Sequence, residues 1–438
     1  MAVDDFSSAK AGGRLLGRAP YGKLRRDLAR NQLMLSRDFP DLIVRDETTV
    51  DTSANMLSSE PHMSVASALA VLFCAVSLFF HLGCMIYMML HARRNAPIPP
   101  VGAGADMVTL LRPVCGLDFA LRESLGSTFS LDYPSYEVIF CAPHESDPAV
   151  AVVRELMAAH PRVQARLLVG LDEVSDNPKL NNCYKGWQVA GHPWLIMIDS
   201  NVVLSRDYVQ RMLAAWGPRT GLVTAPPIGK DADGFWGHFE CAFLNTYQAP
   251  AQYFADFFRV GFAQGKNMLW RRADLERAGG VAALGSEVTD DAAATKLVRA
   301  NGKRVSLVQG PFEQPIGRRT FAGVWDRQAR WARMRRSCFP LVFLSEVLNG
   351  FVPPWLALAW LSHDGVLPFW PASGALAVLW YGSEAALVWY AGWAMTAALP
   401  LQAFLRDLLL PCLWVYGYGG SSFNWRGRIV SMIRGEKS

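Results

Sequence analysis

Apolar and polar positions divide the chain into three regimes. Residues 64 to 90, SVASALAVLFCAVSLFFHLGCMIYMML, carry no Asp, Glu, Lys or Arg. At about 1.5 Å per helical residue this run is longer than a hydrocarbon core of about 30 Å, so it predicts a spanning helix within 63–92. A second apolar region, 337–420, is interrupted by Pro353-Pro354, by SHDG at 362–365, by Glu384 and by Arg406-Asp407. It predicts crossings at 340–361 and 372–394, and a segment at 397–417 that either crosses or lies at the interface. Between the two, residues 100–336 change period. DMVTLLRPV (106–114), YEVIFCA (136–142), RVQARLLVG (162–170) and WLIMI (194–198) read as strands, and PAVAVVRELMAAHP (148–161) has helical spacing. Alternating strands and helices predict an α/β domain with a mostly parallel sheet.

Composition agrees with a membrane protein: 51% hydrophobic residues and 15 Trp in 438 positions are too many for an ordinary soluble chain. His81, inside the first span, reads as a neutral side chain facing protein or the interface. The flanks orient that span. Asp46, Glu47, Asp51 and Glu60 precede it, Arg93 and Arg94 follow it, and basic flanks mark the cytosolic side. The middle domain is therefore expected in the cytosol, and the Ala, Arg and Trp usage suggests a bacterial inner membrane. Residues 1–62 form a polar arm and 421–438 a basic tail. Eight cysteines without paired short spacing fit buried, reduced thiols.

Chemistry-bearing residues cluster in the middle domain. Asp199 ends the apolar run WLIMI, either as a turn former or at the carboxyl end of a parallel strand, where open sheets bind ligands. Asp118 follows Gly116 and reads as a turn former as well as a site residue. Asp147 precedes a helix and suits its cap better than a nucleotide contact. Lys179 and Asn181, in NPKLNN, precede the helix leading to the Asp199 strand. Asp290 and Asp291 open the helix DDAAATKLVRA, where acidic caps are favourable in their own right. Residues 318–340 hold seven arginines among aromatics. In a soluble protein that suggests nucleic acid; beside a span it suggests an anionic lipid surface, so no nucleic-acid partner is expected. Arg327, Arg330 and Trp331 share one helical face, and Arg333, Arg335 and Arg336 are read as headgroup contacts.

The fragments CGLD, LDYPSYEVIFCAPHESDPA, NPKLNN, MIDSN, EVTDDAAATKLV and RQARW stand in the order and spacing of the D, D, D, (Q/R)xxRW signature. The chain thereby resembles membrane glycosyltransferases of family 2 and its relatives, most closely the ceramide glucosyltransferases, from about residue 65 to beyond 345. The resemblance implies a GT-A fold, a UDP-sugar donor, a lipid acceptor, a divalent metal (Mg²⁺ or Mn²⁺) and inversion at the anomeric carbon. It places Asp118, Arg327, Arg330 and Trp331 at the donor, Asp199 with help from Asn201 at the metal, and makes Asp291 the base; Lys179, Asn181 and, second to its helix-cap reading, Asp147 are further candidate donor contacts. Where many GT-A enzymes have Asp-x-Asp, this chain has Asp199-Ser200-Asn201, which leaves one carboxylate for the metal.

The chemistry asks for the same residue types. A leaving diphosphate needs a hard cation held by carboxylate, and an attacking alcohol needs a nearby carboxylate to take its proton. The expected reaction moves one sugar, glucose first, to a lipid alcohol, ceramide first. Alternatives are N-acetylglucosamine or galactose transferred to a hopanoid polyol or diacylglycerol, a processive polysaccharide synthase, or a silent scaffold that keeps the fold.

Overall fold

The computed structural model describes residues 63–92, 105–420, 422–425 and 428–431. The arm 1–62, Arg93-Arg94 and most of the tail 421–438 lie outside the described residues, so the readings placed there are not addressed.

The four predicted strands form as β1 (Val108–Pro113), β2 (Tyr136–Ala142), β3 (Gln164–Val169) and β4 (Trp194–Ile198). They are followed by β5 (Thr220–Thr224), β6 (Pro227–Asp233), β7 (Asn267–Arg271), β8 (Arg304–Leu307) and β9 (Phe312–Arg318). The main sheet runs β3-β2-β1-β4-β7-β5-β8, and β6 pairs with β9 in a separate parallel ribbon. Only β7 runs against its neighbours β4 and β5 in the main sheet, so the sheet is mostly parallel, as expected of a GT-A domain. Both faces are covered. Leu110 packs on one side of β1 and Leu111 on the other, in two separate buried clusters, which is why the strands read as continuous apolar runs rather than alternating ones.

Strand order places the site. From β1 the chain winds outward through β2 and β3, then returns to lay β4 on the other flank of β1. The carboxyl ends of β1 and β4 therefore border a topological switch point, where helices depart to opposite faces and a crevice opens. Asp118 follows β1 and Asp199 follows β4.

The helix Val65–Ala92 forms as predicted and is long and apolar enough to cross a membrane. His81 within it stacks on Trp380 at 3.8 Å and lies 3.1 Å from Ser383 Oγ, so it faces protein. In the C-terminal region the two predicted crossings take different forms. Residues 340–361 form Pro340–Leu348 and Val352–His363, bent by 45° at the break, and they reach spanning length only together. The predicted crossing 372–394 is the helix Phe369–Ala391, which at 23 residues is long enough to span but is less apolar than Val65–Ala92. Arg406 of the helix Leu399–Gly417 is buried against Glu384 at 2.8 Å and Asp407 at 2.9 Å. The charges that break up the apolar pattern are thus spent on one another inside the helical bundle. All eight cysteines are free.

Candidate active site

The loop after β1 turns at Gly116, whose φ of 69° suits glycine. Its N–H donates to both carboxylate oxygens of Asp147, at 2.9 and 3.0 Å. Asp147 also caps the helix Pro148–Ala159 by accepting from the Ala149 N–H. The cap reading is correct, and the same carboxylate holds the turn that carries Asp118. Ser200 Oγ donates to Asp118 Oδ2 at 3.1 Å, tying the β1 and β4 loops together.

Sequence reading passed over Arg112, buried in β1. Its guanidinium donates to the carbonyls of Asp199 and Val202, each at 2.9 Å, and of Ser124, so the loop bearing Asp199 is clamped from beneath. Burial lowers its pKa to about 10, partly offset by Tyr208 and Asp199, and it stays charged at neutral pH.

Asp199 meets two lysines. Lys179 Nζ is 2.8 Å from Oδ1 and Lys266 Nζ is 3.2 Å from Oδ2. Burial alone would raise this carboxyl; the two ammoniums override it and hold it at about 2. Lys179 also reaches Asp290 Oδ2 at 2.8 Å and the Gly265 carbonyl at 2.5 Å. Lys266, which the sequence reading missed, lies 3.0 Å from Asn201 Oδ1 as well. A lysine directly before the apolar strand NMLW was the available signal.

Asp291 opens the helix Asp290–Ala300 and accepts from the Gly265 N–H at 3.3 Å. Among the described residues no ammonium or guanidinium stands at ion-pair distance from it. Burial, then the neighbouring Asp290 charge, push its pKa above the ordinary carboxylate range.

Asn181 does not join the site. NPKLNN is the start of the helix Pro178–Val189, capped by Asn177, rather than a segment before it. Asn181 Oδ1 accepts from the Val174 and Ser175 N–H groups and its Nδ2 donates to the Ser175 carbonyl, which fixes the preceding loop. Its neighbour Asn182 faces the sheet instead, donating to the Val114 and Cys141 carbonyls at 3.1 and 2.8 Å.

The helix Phe321–Cys338 closes the cavity with Arg327, Arg330 and Trp331. Arg327 pairs with buried Glu240, which also lies 3.1 Å from Arg319 Nε. Arg333, Arg335 and Arg336 are not free headgroup contacts. Arg335 binds Glu346 through two nitrogens at 2.7 and 2.9 Å, Arg333 lies over Tyr416, and Arg336 donates to the Tyr418 carbonyl. Glu346 comes from the segment that follows, and Tyr416 and Tyr418 from the end of the helix Leu399–Gly417, partners that local sequence does not reveal.

Asp118, Asp147, Lys179, Asp199, Asn201, Asp291, Arg327, Arg330 and Trp331 all line one cavity of about 590 Å³. A family model described as glycosyl transferase family 21 matches residues 69–438. The chain belongs to this family. It is 26% identical to ceramide glucosyltransferase 3 of Caenorhabditis elegans over 75% of this chain and 73% of that one. It is 28% identical to the ceramide glucosyltransferase of Komagataella phaffii over 56% of this chain and 59% of that one. A mannosyltransferase of Pyrobaculum calidifontis, solved with GDP-Man and Mn²⁺, shares 18% identity over 81% of this chain and 96% of that one, with a TM-score of 0.42.

A divalent metal at this family 21 site would have few protein ligands. Among the described residues no three His, Cys, Asp or Glu side chains form a cluster able to enclose an ion. A Mg²⁺ bound with a nucleotide needs no such cage, since one or two carboxylates and the phosphate oxygens suffice. Asp199 Oδ2 and Asn201 Oδ1 converge on a single cation, the Lys266 ammonium, at 3.2 and 3.0 Å. Both are hard oxygen donors of the kind such an ion takes with a diphosphate, and an ion bound there would displace the Lys266 ammonium from them toward the phosphates.

Proposed function

We propose that this family 21 glycosyltransferase moves one sugar, glucose first, from a UDP donor to the hydroxyl of a membrane lipid, ceramide first. The observation that carries this reading is the convergence of Asp118, Asp199, Asp291 and the Arg327–Trp331 face on one cavity at the sheet's switch point. The names of its curated relatives support glucose and ceramide.

Asp291 takes the proton. Asp199 and Asp290 are both held by Lys179, whereas Asp291 has no cation at ion-pair distance among the described residues and a carboxyl pKa raised by burial and by the Asp290 charge, which suits a general base. As the acceptor oxygen bonds to the anomeric carbon, its proton passes to an Asp291 oxygen and the bond to the diphosphate breaks with its electron pair leaving on UDP. A single displacement inverts the anomeric centre. Lys179 and Lys266 place two ammoniums where the leaving charge develops, and Asp199 and Asn201 would hold Mg²⁺ or Mn²⁺. The bound ion would supply further neutralisation of the diphosphate. Glu240 holds Arg327 at the cavity wall.

The domain is assigned to the cytosolic face, in a bacterial inner membrane, where UDP-sugars are made. Protease added to sealed vesicles with that face outward is expected to cut between residues 100 and 335; protection of the whole domain would overturn the assignment. The reaction is tested by expression in a host without glycolipids, supplied with ceramide, followed by lipid mass spectrometry. One hexose on ceramide is expected. A different headgroup or a different lipid would replace the named substrates, and no new glycolipid would refute the reading.

A further inference from the structure

The helix Ala249–Phe257 belongs to the catalytic domain, yet it lies along the spanning helix Val65–Ala92. The contact is close at Gly83, where an added Cβ would come within 2.6 Å of the Phe254 ring. Phe80 meets Phe254 at 5.9 Å and Phe258 at 6.3 Å, Tyr87 meets Phe257 at 5.3 Å, and His91 meets Tyr253 at 5.2 Å.

The spanning helix serves as a ruler. Its 28 residues are about 42 Å long at about 1.5 Å each, some 12 Å more than a hydrocarbon core of about 30 Å. Phe80 stands about 18 Å from the Ala92 end on the same rise. Even with the entire excess protruding on the catalytic side, the level of Phe80 lies about 6 Å inside the hydrocarbon. Phe258, 6.3 Å from Phe80, is therefore held at the hydrocarbon boundary or deeper.

The residues at this level are apolar and unburied. Phe257, Phe258 and Val260 are 56%, 49% and 55% exposed, and Phe262 is 39% exposed. Four large apolar side chains displayed within six positions would be an aggregation hazard in water and cost nothing in lipid. Exposed Arg259 sits among them at φ 61°, the helix-ending position that glycine takes without steric cost, and its long stem can return the guanidinium to phosphate level.

This apolar tip is tied to the base. Arg299 donates to the Val260 and Gly261 carbonyls at 3.0 and 3.1 Å, and Thr295 Oγ1 accepts from the Ala263 N–H at 2.9 Å. Both side chains belong to the helix whose first turn carries Asp291. Two residues beyond Ala263, the Gly265 N–H reaches Asp291 itself, and Lys266 follows at Asp199.

We propose that residues 257–262 enter the lipid bilayer beside the spanning helix and form the acceptor-side approach, carrying the lipid hydroxyl from the acyl region to Asp291. The acceptor half of this rests on the reading of Asp291 as base; the insertion half does not.

The test uses the full chain in phosphatidylcholine–phosphatidylglycerol vesicles, with Phe258→Cys in a Cys412→Ser background and a nitrobenzoxadiazole label. Phe79→Cys on the spanning helix is the membrane reference, and the Cys412→Ser parent supplies background labelling. Doxyl-labelled lipid is expected to quench position 258 nearly as strongly as position 79, with iodide quenching neither. Iodide quenching at 258 would overturn the insertion, whether or not position 79 remains shielded.

In the same vesicles Phe257→Ser/Phe258→Ser is expected to raise KM for the lipid acceptor about 10-fold, with kcat and the donor KM unchanged and UDP binding confirming the fold. An unchanged acceptor KM would refute the acceptor half. If no lipid were glycosylated by the unaltered protein, the proposed function would fail while the quenching result still decided insertion.

Discussion

Lys266 Nζ stands 3.2 Å from Asp199 Oδ2 and in reach of Asn201, so a lysine ammonium occupies the point on which the two proposed metal ligands converge. Positive charge at the proposed diphosphate position is thus built into the chain before any ion binds. With Lys179 on the other carboxylate oxygen, Asp199 acts as an anchor for cations.

It follows that some UDP binding survives in chelator and depends on these lysines. Lys266→Met is expected to weaken metal-free UDP binding about 10- to 100-fold, the worth of one charge-assisted hydrogen bond at about 1.5–3 kcal/mol. Tryptophan fluorescence titration in EDTA measures it. An unchanged affinity would mean that Lys266 only neutralises Asp199.

The pH dependence reports on Asp291. Its carboxyl is raised by burial and by the Asp290 charge, and a base must be ionised, so kcat is expected to fall as pH drops through a midpoint above the ordinary carboxylate range. Asp290→Asn removes the like charge, lowers the Asp291 pKa and moves the acid limb of the kcat profile to lower pH. A limb that stays put or moves upward would contradict the coupling.

Asn181 and Asn182 show where sequence reading stops. Continuous apolar runs made β1, β2 and β4 legible, and Asp199 could be placed at a strand end because strand ends are local events. Which of two adjacent asparagines faces the sheet is decided by helix phase against a surface that local sequence does not describe. Arg112 was hidden for a related reason, since its acceptors at 199 and 202 come from a loop brought over by sheet order rather than by local pattern. Arg335 read as a surface cation because its partner Glu346 becomes a neighbour only through the break at Phe339, between the helix Phe321–Cys338 and the one that starts at Pro340. The strand order itself, with β7 inserted antiparallel, rests on long-range register that hydrophobic period does not encode.

The reassignment of Asn181 separates stability from binding. Asn181→Ala leaves the Val174 and Ser175 N–H groups and the Ser175 carbonyl without their side-chain partner, and is expected to destabilise the domain by about 1–3 kcal/mol. Thermal unfolding followed by fluorescence should show a lowered Tm, while the folded protein binds UDP as before. A weaker UDP affinity at unchanged Tm would restore Asn181 to the donor site.

The proposed chemistry divides labour within one cavity: Asp199 serves the diphosphate and its cation, and Asp291 takes the acceptor's proton. Calorimetric titration of UDP into the unaltered protein, Asp199→Asn and Asp291→Asn, each with and without Mn²⁺, tests it most directly when paired with single-turnover rates. Asp291→Asn is expected to bind UDP like the unaltered protein while turnover falls about 10²- to 10⁴-fold, the usual worth of a general base. Asp199→Asn is expected to lose the Mn²⁺-dependent part of UDP binding. Loss of UDP binding in Asp291→Asn, or intact Mn²⁺-dependent binding in Asp199→Asn, would contradict the account.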